Sequence, residues 1–108
     1  MMLITKEIKD RLPKLYATEG TPVEEKIVQA KWFDPYGSAY WLLVEGEEQQ
    51  NGDWLLFGYA ELLPGCGEWG YFSKREIEGL NSFGAPRIER DKWHEPVPFA
   101  RFEGRYAH

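Results

Sequence analysis

At 108 residues the chain has the length of one domain, because two half-sized domains would each bury too little apolar surface. Hydrophobic residues make up 43% and charged residues 29%, which excludes a disordered or fibrous chain. The net charge is −5, and it sums to +1, −7 and +1 over residues 1–20, 21–85 and 86–108. We therefore predict one domain over residues 1–108. Its acidic middle repels phosphate, which disfavours nucleic-acid binding.

Cysteine content and hydropathy bear on the compartment. Cys66 is the only cysteine, so no intramolecular disulfide can form, and a reducing cytoplasm fits best. No apolar stretch approaches the length of a membrane span, and no secretory or lipidation signal is present. We therefore predict a cytoplasmic protein without a membrane partner, and the residues indicate no metal and no cofactor.

The amino-terminal segment predicts a short helix. Thr5 is a suitable N-cap, Ile8 and Leu12 lie one helical turn apart, and Pro13 ends or kinks the helix. A loop follows, ending near Pro22.

Four segments in the middle of the chain predict strands, since they are rich in aromatic residues and roughly alternate between apolar and polar. Short turns rich in Gly, Pro and Asn separate these segments, and such short connections allow only antiparallel neighbours. The sequence therefore predicts an antiparallel meander. Its strands span residues 26–33, 40–45, 54–63 and 68–72.

The tetrapeptide Ser73-Lys74-Arg75-Glu76 matches a capping box and predicts a helix over residues 74–80. Beyond Gly84, prolines interrupt the chain, so we expect an extended segment around residues 87–91 and then a tail draped over the domain. The predicted fold class is α+β: a four-stranded, mostly antiparallel sheet with a short N-terminal helix and a second helix after the last strand.

Several blocks together resemble one bacterial family. They are Leu3–Glu7, Leu12–Glu19, Phe57–Tyr59, Gly70–Ser73 and Ile88–Asp91. In combination they are similar to bacterial domain of unknown function 2958, over almost the whole chain. The resemblance implies carriage on plasmids and conjugative elements, and it implies no reaction and no catalytic residues.

The strand aromatics are the first candidate site. Because side chains alternate across a sheet, these rings cannot all lie in one core unless both faces are covered. Either one face carries an exposed aromatic patch that binds a protein or stacks single-stranded bases, or the rings fill a small core. The candidate binding residues are Trp41, Trp54, Tyr59, Trp69, Tyr71 and Arg90.

The second candidate site lies in the Glu89–Glu95 segment. Glu89, Asp91 and His94 provide carboxylates and an imidazole that suit a general base or a metal site. The competing interpretation is a solvated edge with ordinary ion pairs. Catalysis requires these groups to converge in a concave site.

The leading hypothesis is a non-enzymatic binding protein of a mobile genetic element. It would act on a protein partner through an aromatic sheet face and an acidic rim. One alternative is a small hydrolase or metal-assisted nuclease that uses Glu89, Asp91 and His94. The other is single-stranded nucleic-acid binding by aromatic stacking.

Overall fold

A computed structural model describes residues 2–102. Residue 1 and residues 103–108, the ends of the predicted domain, lie outside that part. In chain order the elements are α1 (Lys6–Arg11), a 3-10 turn (Val23–Glu25), β1 (Ile27–Val28), β2 (Ala30–Phe33), β3 (Tyr40–Glu48), β4 (Trp54–Glu61), β5 (Gly67–Ser73), α2 (Lys74–Glu78), β6 (Asn81–Ser82), β7 (Ala85–Pro86), β8 (Glu89–Arg90) and β9 (Val97–Pro98).

The predicted α+β class and the antiparallel meander are confirmed. Strands β2, β3, β4 and β5 pair in sequence order, each antiparallel to the next. The predicted count of four strands is wrong, because β8 joins β2 and makes the sheet five-stranded, in the order β5-β4-β3-β2-β8. The added strand is only two residues long and its partner precedes it by more than 50 positions, so no local pattern indicates the pairing.

Both predicted helices are present and both are capped as expected. The Thr5 hydroxyl accepts from the Ile8 amide at 3.2 Å, and the Ser73 hydroxyl accepts from the Glu76 amide at 3.3 Å. The second helix ends at Glu78 instead of residue 80, with Gly79 as its C-cap.

The predicted strand over residues 26–33 is divided in two. Its first part, β1, pairs with β9 of the carboxyl-terminal tail, and its second part, β2, pairs with β3. The tail is thereby fixed over one face of the sheet.

Both faces of the sheet are covered, and each has its own core. The amino-terminal segment, α1 and α2 cover the first face, where Ile8 and Ile77 pack against Trp32, Trp41 and neighbouring aliphatic residues. The tail covers the second face, where Phe99 and Phe102 pack against side chains that include Tyr40 and Leu42. Alternation along β3 supplies both cores at once.

A β-bulge interrupts this alternation in β3. Leu43 lies opposite Gly58 and Glu45 lies opposite Phe57, so Val44 is an extra residue in the strand. The insertion shifts the side-chain alternation beyond it, because one added residue exchanges the two faces. As a result, Glu45, Phe57 and Tyr71 form one cross-strand row.

Candidate functional site

An apolar groove of about 530 Å³ opens beside β5, on the face that α2 covers. Helix α2 begins directly after β5, because Ser73 both ends the strand and caps the helix. The groove is lined by Trp41, Ala60, Leu62, Leu63, Cys66, Glu68, Trp69, Gly70, Tyr71, Phe72, Glu76, Ile77 and Leu80. They come from the meander, the β4–β5 turn, and α2 with the residues after it.

Gly70 keeps part of this groove open. A Cβ atom placed at Gly70 would meet no atom within 4 Å, whereas one placed at its cross-strand partner Gly58 would lie 1.8 Å from the Leu42 carbonyl oxygen. Gly58 is therefore needed for strand packing. Gly70 instead leaves accessible space, and a side chain there would fill it.

Exposed leucines border the groove, and sequence reasoning missed them. Leu62 and Leu63 follow the end of β4, Leu80 follows α2, and Leu63 is 65% exposed. A signal was present, because Leu62 and Leu63 directly precede the turn at Pro64, where strand pairing ends. An apolar pair at that position has no sheet neighbour to cover it.

The groove carries negative charge. Glu68 and Glu76 are exposed and line it, and residues 45–78 hold eight acidic and two basic side chains, a net charge of −6. The single cysteine, Cys66, lies exposed among the lining residues.

A carboxylate from another loop holds α2 in place. Asp53 accepts hydrogen bonds from the Arg75 amide at 3.0 Å and the Trp54 amide at 2.7 Å, and also from the Ser73 hydroxyl. Burial raises the pKa of Asp53, but these hydrogen bonds outweigh it and lower the pKa below its usual value. Asp53 thus fixes the start of the helix that lines the groove.

Three of the six predicted binding residues meet at this groove. Trp41, Trp69 and Tyr71 all line it, although Trp41 is only 4% exposed whereas Tyr71 is 51% exposed. Trp41 therefore supports the groove from the first core, whereas the Trp69 ring packs against Phe99 at 4.8 Å in the second core. Tyr71 is the most accessible of the three.

The structure places the other three predicted binding residues elsewhere. Trp54 is 9% exposed and packs in the first core, and Tyr59 packs against Phe99 at a ring distance of 5.0 Å. Arg90 donates to the Met2 carbonyl oxygen and ties the amino-terminal segment to the sheet.

A second unpredicted feature is a buried carboxylate, Glu45, which is 2% exposed. It accepts from the Tyr16 amide at 2.7 Å, the Thr18 amide at 2.9 Å and the Thr18 hydroxyl. The buried Lys26 ammonium donates to the Thr18 carbonyl and hydroxyl oxygens. The loop around Thr18 is therefore bound by one acidic and one basic side chain. We call this arrangement the Glu45 clamp.

The clamp reaches the edge strand through two tyrosines. Tyr16 has a left-handed backbone, with φ of 72°, and its ring lies 6.3 Å from that of Tyr71. The neighbouring Tyr16 side chain raises the pKa of Tyr71 above its usual value. The clamped loop therefore positions Tyr71 of β5.

The alternative catalytic residues are partly assembled. Asp91 and His94 line a cleft of about 240 Å³ together with Arg11, Arg90 and Lys92, whereas Glu89 is absent from its lining. The His94 Nε2–H donates to the Val28 carbonyl oxygen at 2.8 Å, and burial lowers the pKa of His94. The ring thus has a structural partner and favours its neutral form.

Residues 2–102 contain neither a cluster of metal-binding side chains nor a membrane-spanning helix. No group of three or more His, Cys, Asp or Glu side chains there is arranged to hold a metal ion. In the same range, no helix has the length and apolar character needed to cross a membrane.

Comparison with known proteins agrees with the resemblance of the sequence blocks. A family model described as a protein of unknown function, DUF2958, matches residues 3–102. The chain belongs to the DUF2958 family. A comparison with curated proteins and one with solved structures found no match. The DUF2958 match covers every element described above, from the segment before α1 to the buried Phe102.

Proposed function

We propose that this DUF2958 protein is a non-enzymatic protein-interaction domain whose partner binds in the apolar groove between β5 and α2. The observation that carries this proposal is the cluster of exposed leucines around the groove. Leu62, Leu63 and Leu80 are each more than 40% exposed, and all three line the groove. Contiguous apolar surface of this kind is typical of binding sites.

The chemistry of the groove favours a protein over other ligands. Small-molecule sites place several polar groups so that they converge on the ligand, whereas most side chains lining this groove are apolar and its charged ones are the carboxylates of Glu68 and Glu76. The same carboxylates repel the phosphates of nucleic acid. A protein partner instead gains about 0.8 kcal/mol for each apolar CH₂ group that it covers.

The partner belongs, in this proposal, to the host or to a conjugation system in the cytoplasm. The sequence resembles a family that is carried on plasmids and conjugative elements, and that resemblance is the support for this context. Transfer frequency from donor cells with and without the gene measures it directly. Equal frequencies, under conditions where the protein is expressed, would count against a role in transfer.

Paired surface variants test the groove itself. The double variant Leu63→Ser, Leu80→Ser removes exposed apolar contacts without opening the core. The control Val23→Ser changes an exposed aliphatic residue in the 3-10 turn, outside the groove. Proteins captured from a bacterial lysate by the wild type are purified, and their affinity for each variant is measured by calorimetry. We expect the double variant to lose at least tenfold in affinity and Val23→Ser to bind as the wild type does. Equal binding by all three would refute the groove as the binding surface.

A further inference from the structure

Strand β5 forms an open edge of the sheet. Within residues 2–102 it pairs with β4 alone, and all seven of its residues are at least partly accessible. Edge strands are usually protected against pairing with other chains by proline, by lysine, by bulges or by being very short. Gly67–Ser73 has no proline and no lysine, and its one charged side chain is Glu68; the opposite edge, β8, is only two residues long.

The open edge and the apolar groove adjoin each other. Glu68, Gly70 and Phe72 alternate with Trp69 and Tyr71 along β5, and all five line the groove. Every second side chain of a strand added to β5 would therefore lie beside Gly70 and Phe72. The space there is open because Gly70 has no side chain.

Charge selects among the possible occupants. A second copy of this chain would bring the acidic region 45–78, with its net charge of −6, against its own equivalent. That repulsion disfavours self-pairing. A segment with basic residues next to its apolar ones would meet Glu68 and Glu76 with the opposite sign.

We propose that the occupant of the groove is an extended, basic and apolar peptide segment of a partner protein that adds to the sheet as a sixth strand along β5. This inference rests on the proposed protein-binding function and specifies its mode. Main-chain hydrogen bonds to the open edge supply affinity, and the groove selects the alternate apolar side chains.

The peptide probe is obtained by display. Random dodecapeptides are selected against the full chain, with the Gly70→Val variant as the counter-target, and affinities are measured by fluorescence polarisation. A Cβ at Gly70 meets no atom, so valine fits without disturbing the fold, and its methyl groups occupy the open space in the groove beside Phe72. Gly20→Val is the matched control, since a Cβ at Gly20 also meets nothing and the residue lies outside the groove.

Expected sequences carry apolar residues at every second position and one or more lysines or arginines. Gly70→Val should weaken binding at least tenfold, Gly70→Ala should weaken it less, and Gly20→Val should leave it unchanged. The double variant Glu68→Gln, Glu76→Gln should weaken binding roughly two- to fivefold, and less so at high salt, as for exposed ion pairs. Thermal unfolding of each variant confirms that the fold is retained.

The binding mode is then tested by measuring the affinity of peptides that are methylated at one amide nitrogen at a time. Strand addition predicts a period of two, in which alternate N-methyl groups weaken binding about tenfold because every second amide donates to the sheet. Binding that Gly70→Val abolishes but that shows no such period refutes strand addition and leaves the protein-binding function standing.

Two further outcomes are decisive. If no peptide binds the wild type more tightly than Gly70→Val, both the strand addition and the groove as a protein site are wrong. If sedimentation shows a dimer that Gly70→Val dissociates, the occupant is a second copy of the chain and the basic partner segment is refuted.

Discussion

The Glu45 clamp permits a quantitative stability prediction. In the variant Glu45→Ala, the amides of Tyr16 and Thr18 lose their acceptor, and so does the Thr18 hydroxyl. A hydrogen bond to a charged group contributes about 1.5–3 kcal/mol, and such contributions do not add fully when they share one acceptor. Because Tyr16 is exposed, water reaches part of the freed loop. We therefore expect a loss of about 2–4 kcal/mol in the free energy of unfolding.

Such a loss is large against the total of about 5–15 kcal/mol that is typical of a domain. The clamp also holds Tyr16 at a φ of 72°, a conformation that costs a non-glycine residue about 1–2 kcal/mol. The loop should therefore open first once the carboxylate is removed.

Urea unfolding followed by tryptophan fluorescence measures the loss, and amide hydrogen exchange at Tyr16 and Thr18 locates it. The matched control is Glu48→Ala, which removes an exposed carboxylate from the end of the same strand and should cost less than about 0.5 kcal/mol. A loss below about 1 kcal/mol for Glu45→Ala, or unchanged exchange at both amides, would show that the clamp does not stabilise the fold.

Three other predictions concern pH dependence and the core. The pKa of Asp53 is lowered in the folded state, so ionised Asp53 stabilises the fold above its unfolded pKa of about 3.9, and this stabilisation is lost as pH falls through the folded pKa. Asp53→Asn should therefore make the free energy of unfolding depend less on pH in this range, and an unchanged pH profile would contradict this. The folded pKa of His94 is also lowered, so stability should decline as pH falls below about 6.5 towards the folded pKa, and His94→Gln should remove that decline in pH-dependent urea titrations. Trp41→Ala should lose about 3–5 kcal/mol in urea unfolding, while the exposed Trp93→Ala should stay within about 0.5 kcal/mol; comparable losses would mean that Trp41 is not a core residue.

Short-range signals predicted most of the fold. The connections between the predicted strands, residues 34–39, 46–53 and 64–67, are too short for a parallel crossover. The antiparallel meander follows from them, and the observed strand pairing agrees. The Ser73 hydroxyl and the Glu76 amide lie three residues apart in sequence, so the start of α2 could also be read locally.

Long-range pairing accounts for what was missed. The two residues of β8 become a strand only because Trp32 and Phe33 lie beside them. Long-range contacts also limit prediction of the binding residues. Alternation along a strand shows that the aromatic side chains divide between two sheet faces, but it does not show what covers each face. The sequence predicts Trp41 and Trp54 as binding residues because periodicity does not reveal that α1 and α2 bury them on the first face.

Glu45 shows a third limit. On the sequence it is the last polar residue of a predicted strand, and nothing in residues 40–45 indicates the bulge that redirects it. The Glu45 carboxylate and its donors at Tyr16 and Thr18 are separated by 27 to 29 positions, so their meeting depends on the finished fold.

The coverage of the second sheet face by the tail has a consequence for synthesis. Ribosomes build the chain from its amino end, so the four meander strands are complete before Phe99 and Phe102 leave the ribosome. Until then Tyr40 and Leu42 have no cover on that face. A message truncated before codon 99 would release a sheet with one bare aromatic face, a suitable target for chaperones and proteases. Phe99 and Phe102 therefore complete the second core only after all four meander strands have been made.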